Sequence, residues 1–88
     1  MAIIIKITGE VVNVEPANGS IFTLKELQKA VNGYIQIVEI ITGEHSGKFM
    51  IVDEEGLIKP NQINTVASKI AGQMIVGQVI IIDKDQIE

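Results

Sequence analysis

Residues 78–83 of this chain read Gln-Val-Ile-Ile-Ile-Asp. Four consecutive β-branched aliphatic residues are stiff at χ1 and favour a strand. Neighbouring side chains in a strand point to opposite faces. Val79 to Ile82 therefore present hydrocarbon on both sides, which suits a central strand and not a half-solvated one. The opening Ala2–Ile7, with Ile3-Ile4-Ile5, has the same character. Any fold for this chain has to cover a sheet with two apolar faces.

The remaining segments supply partners for those strands. Thr8-Gly9-Glu10 signals a turn into Val11–Glu15, where Val12 and Val14 alternate with Asn13 and Glu15. Thr23-Leu24-Lys25-Glu26 is a capping box, and Leu24, Leu27 and Val31 then recur at helical spacing. Gly33 stands where a left-handed C-cap is expected. Tyr34–Thr42 and Lys48–Val52 flank the loop Gly43–Gly47 as a hairpin. Asp53-Glu54-Glu55-Gly56 is an acidic turn, with Gly56 expected at positive φ. Pro60 keeps Leu57–Ile63 out of a central strand. Asn64 caps a second short helix carrying Val66, Ala67 and Ile70, and Gly72 ends it. The tail 84–88 is polar and expected to fray.

The order β-β-α-β-β-α-β predicts a single small α+β domain over residues 1–88. We expect a mainly antiparallel five-stranded sheet with two short helices on one face. Two such helices cannot cover both faces, so the uncovered face predicts self-association as a homodimer or higher oligomer.

The stretch Thr42–Phe49, TGEHSGKF, invites a phosphate-loop reading. It fails in spacing, because only three residues separate Gly43 and Gly47. It fails in chemistry, because Phe49 occupies the magnesium-ligating Ser/Thr position, and in context, because a strand follows where a helix should begin. The glycines suit a hairpin loop instead. His45 is the only histidine, and its neighbours Glu44 and Ser46 cannot fold back on it as a relay. We expect a solvated loop histidine. Asp53, Glu54 and Glu55 lack calcium-loop spacing. With no cysteine, thiolate metal sites are excluded. Glu39 interrupts an apolar strand face, which calls for a half-exposed edge position or a partner, Lys48, Lys25 or a ligand. We expect no enzyme, no cofactor and no metal.

Net charge is −4, and all seven cations are lysine. Without arginine there are no fork-shaped grips on phosphate or guanine, so nucleic acid is not an expected partner. No apolar run approaches a membrane span, and the N-terminal region lacks a secretion-signal pattern. A cytoplasmic location is expected.

Four motifs in order, LQKAVNGYIQIV (27–38), VDEEG (52–56), NTVAS (64–68) and IVGQVIII (75–82), resemble a family of small proteins encoded by phages, plasmids and other mobile elements, catalogued as a domain of unknown function. The chain departs from that pattern at Asn32, Asp53, Thr65 and Gln78. The resemblance implies a bacterial host and no particular chemistry. Small acidic proteins of that kind often act by binding host machinery. We therefore expect a non-catalytic protein-binding role, with sequestration of a nucleotide signal as the alternative. Tyr34 could stack on a base, and Gln36, Asn61 and Asn64 could read its edge. Together with Asp53, Glu54 and Glu55 these are the candidate binding residues. One outcome follows directly: the protein should show no ATP hydrolysis sensitive to Lys48→Ala in a phosphate-release assay, and such an activity would contradict the loop reading.

Overall fold

The computed structural model describes residues 2–56, 58 and 62–87. Strands β1 (Ala2–Ile5), β2 (Val11–Val14), β3 (Ile35–Glu39), β4 (Phe49–Asp53) and β5 (Val79–Ile82) form one antiparallel sheet in the order β2-β1-β5-β4-β3. Helices α1 (Leu24–Val31) and α2 (Thr65–Ala71) complete an α+β fold. As its composition requires, β5 is the middle strand and all four of its residues are buried.

The two helices lie on opposite faces, which corrects the one-face expectation. Alternation decides this. Ile80 and Ile82 pack with Ile51, Ala2, Leu27 and Val31 under α1. Val79 and Ile81 pack with Met50, Val52, Ile5 and Ala67 under α2. A strand that is aliphatic on both faces gains most when each face receives its own helix. The expected uncovered face therefore does not exist in that form, and self-association needs another basis.

Helix α1 begins with the expected capping box. The Glu26 amide donates to Thr23 Oγ1 (3.2 Å), and Glu26 Oε1 accepts from the Thr23 amide (2.9 Å). Its second oxygen accepts from the Ala17 amide (2.9 Å), fastening the preceding loop to the helix. The Thr23 and Ala17 amides hold the Glu26 carboxyl below its ordinary pKa. A depressed carboxylate stabilises fully at neutral pH and loses that contribution as pH falls through its folded-state value. Leu27 and Val31 are buried, whereas Leu24, in the first turn, is half exposed. The helix ends at Asn32 (φ 60°) and not at Gly33. Asparagine tolerates the left-handed region better than other non-glycine residues.

Two further differences have local causes. Gly56 is not among the positive-φ residues. It is required because a β-carbon there would sit 2.8 Å from Val76 Cγ2 and 3.2 Å from the Asp53 carbonyl oxygen. The tail is docked through residue 87: Lys84–Gln86 forms a 3-10 turn, Gln86 is buried, and its carbonyl accepts from the Phe22 amide. The expectation for Pro60 lies outside the described residues. Among the described residues no helix is long and apolar enough to cross a membrane.

Leu27 is 1% exposed at the centre of the α1 face. Leu27→Asp should cost about 4 kcal/mol or more by burying an unpaired charge. A domain of this size has only about 4–13 kcal/mol in all. Urea denaturation followed by circular dichroism should show a largely unfolded variant.

Candidate functional site

The residues singled out from sequence divide into an exposed group and a structural one. Tyr34 precedes β3 and is 65% exposed. Its carbonyl accepts from the Glu54 amide (2.8 Å), which sets the acidic turn beside it. Gln36, Glu54 and Glu55 are exposed. Asp53 is buried at the end of β4, where its Oδ1 accepts from the Glu55 amide (3.0 Å) and shapes the turn. These five residues share one end of the sheet. Tyr34 and Glu55 border a shallow hollow of about 330 Å³ with Gln28, Lys29, Asn32 and Gly33. Gln36, Asp53 and Glu54 border another of about 140 Å³. Asn61 lies outside the described residues.

Asn64 does not join that surface. It is completely buried. Its Nδ2 donates to the carbonyls of Ile5 (3.0 Å) and Gly77 (2.9 Å), and its Oδ1 accepts from the Ala67 amide (3.1 Å). Its own amide donates to the Ile75 carbonyl (2.8 Å). The side chain thus caps α2 and ties that helix to β1 and to the approach to β5. Both amide protons are engaged, so none remains for reading a base edge. Ser68 strengthens the junction, its Oγ accepting from the Ile75 amide (2.8 Å).

A larger concavity than either of these hollows lies on the α2 face, away from the expected residues. It encloses about 630 Å³. Ile3 and Ile5 of β1 and Val11 of β2 form its floor, with Val66 and Ile70 of α2 as one wall. The loop Thr42–His45 forms the other, and Asn13 and Lys69 add polar groups. The groove exists because α2 is short and sits over the middle of the sheet, with Ala67 buried beneath it. Val11, on the outer strand, remains 53% exposed.

The loop from the TGEHSGKF stretch therefore rims an apolar groove. Gly43 (φ 84°) and Gly47 (φ 86°) supply its turns, and Ser46 Oγ donates to the Ile41 carbonyl (3.2 Å). Lys48 Nζ lies 3.8 Å from Asp83 Oδ1. His45 is half-buried in the groove wall, where a fully solvated side chain was expected. Glu39 is exposed on the outer strand and pairs with Lys84, a lysine not foreseen as its partner. Among the described residues, no group of three or more His, Cys, Asp or Glu side chains is arranged to hold a metal ion.

Sequence reasoning missed the groove. It is assembled from four separated segments, and aliphatic residues such as Val11 and Ile70 look like ordinary core in sequence. The distinction between Asn64 and the exposed group is measurable. Asn64→Ala should cost about 3 kcal/mol, through the lost cap and the two lost bonds to the Ile5 and Gly77 carbonyls. Glu54→Ala should stay within about 0.5 kcal/mol of the parent. Urea titration of both variants checks this.

No curated protein and no solved structure matches the chain. A family model does, over residues 1–88. That family is described as a domain of unknown function, DUF3846, and the chain belongs to it.

Proposed function

We propose that this chain is a non-catalytic binding protein of a mobile genetic element, a phage or plasmid, acting in the bacterial cytoplasm by contact with a partner protein, including host machinery. The observation that carries this reading is the groove between α2, β1–β2 and the loop Thr42–His45. Its aliphatic floor suits an inserted apolar side chain, and the rim groups Asn13, Glu44, His45 and Lys69 can orient a polar backbone around it. The preference for binding over catalysis rests on the sequence, in which the lone histidine, His45, has only Glu44 and Ser46 beside it and the glycine-rich loop fails as a phosphate loop. The mobile-element origin rests on the motif resemblance.

A second reading has its own observation. Tyr34 stands exposed beside a hollow containing Lys29 and Asn32, a geometry in which a nucleotide base could stack and its phosphate meet a cation. This would be sequestration of a nucleotide signal.

One paired experiment separates the two. Partners captured from host lysate on the immobilised chain should be lost with Val11→Asp and retained with Tyr34→Ala. Thermal shift against a nucleotide panel should stay flat, whereas a ligand at about 100 times its Kd would add about 2.7 kcal/mol. Capture indifferent to Val11→Asp, or a nucleotide shift abolished by Tyr34→Ala, overturns the first reading.

A further inference from the structure

The outer edge of β3 carries a separate inference. The Tyr34 carbonyl accepts from the Glu54 amide, and the Ile40 amide donates to the Lys48 carbonyl (3.0 Å). In an antiparallel ladder, residues alternate between bonding one neighbour and facing away from it. Residues 34, 36, 38 and 40 therefore bond toward β4. Ile35, Ile37 and Glu39 turn their N–H and C=O groups outward. Among the described residues, no strand lies beyond β3 in the sheet. These groups form an open template for another chain.

Its side chains fit that role. Tyr34 (65% exposed), Ile37 (44%) and Ile41 (78%) are three large apolar residues left exposed along this one stretch. The usual protections of an edge are missing: residues 35–39 contain no proline or lysine, and the register with β4 runs without a bulge. The single charge, Glu39, is already engaged by Lys84. The opposite edge is different. The Lys6 amide donates to the Glu10 carbonyl, so Val11, Asn13 and Glu15 face outward from β2 and its neighbouring residue. A polar and an acidic residue blunt that edge, and Pro16 ends it.

We infer that β3 pairs with β3 of a second copy across a two-fold axis through Ile37, joining two five-stranded sheets into one. The pattern is self-complementary. Ile37 exchanges its outward bonds with its counterpart, and Ile35 pairs with Glu39 of the other copy. Residues opposite each other in an antiparallel pair point to the same face, so the α1 faces of the two copies are continuous. Ile37 then packs on its counterpart on that face. Extending the register sets Tyr34 opposite Ile40 of the other copy, next to Ile41. No like charges are opposed. An extended strand of a different protein could use the same edge, but this self-matching register favours a second copy.

Sedimentation of the full chain at micromolar concentration should give about twice the 9.6 kDa chain mass. Ile37→Pro deletes one outward N–H without removing a bond to β4. It should give a monomer, as should Ile37→Lys, with circular dichroism confirming the fold of each. Asn13→Lys, on the opposite edge, should remain a dimer. A monomeric parent overturns the inference, and so does a dimer that survives both folded Ile37 variants. Should neither variant fold, hydrogen exchange on the parent decides. The amides of Ile35, Ile37 and Glu39 should exchange at least about tenfold more slowly at high concentration than at low. Equal rates at both concentrations would overturn the pairing.

Discussion

The architecture depends on one strand having no solvent face. With Val79, Ile80, Ile81 and Ile82 all buried, β5 needs a strand on each side and a helix on each face. The two hairpins meet this first need, β1 on one flank and β4 on the other. The helices meet the second, one on each face. α1 lays Leu27 and Val31 over one face. α2 approaches the other through Ala67, with Val66 and Ile70 beside it, and the hydrogen bonds of Asn64 tie its start to β1 and to the approach to β5. The groove is the part of that face which α2 does not reach.

What could be read from the sequence was local or compositional. The central position of β5 follows from four aliphatic residues in a row. The capping box of α1 and the Asn64 cap of α2 follow from residue types at fixed spacing. The errors share a cause, which is distance along the chain. Gly56 was assigned a backbone role, but its neighbour Val76 is what forbids a side chain there. Asn64 was recognised as a cap, yet its burial comes from the Ile5 and Gly77 carbonyls, supplied by remote segments. The face chosen by each helix depends on how a crossover packs, which no residue in the helix states. The one local misreading was the end of α1, where glycine at position 33 looked a better left-handed residue than Asn32.

The candidate surfaces were less legible than the fold for a related reason. Polar residues at element ends attract attention in a sequence, and here they divide between exposed groups, such as Tyr34 and Glu55, and structural ones, such as Asn64. The groove and the β3 edge are both made of aliphatic side chains and backbone. Their significance lies in what fails to cover them. The groove floor is on β1 and β2, and the open edge is on β3 at the other side of the sheet. Occupying one therefore does not require the same strands as occupying the other.

The pairing of Ile3 with Ile81 has a consequence for how the molecule comes into being. The middle of the sheet is encoded after every other strand. A nascent chain emerging from the ribosome can close the β1–β2 and β3–β4 hairpins early, because each is local. It cannot join them, since the strand that lies between them has not yet been made. During that interval both hairpins carry an unpaired inner edge of nearly pure hydrocarbon, and contacts spanning most of the chain must then form together. Such non-local closure is slow for a small domain and leaves edges exposed to the wrong neighbours. Joining the two hairpins therefore waits until the last strand has been made.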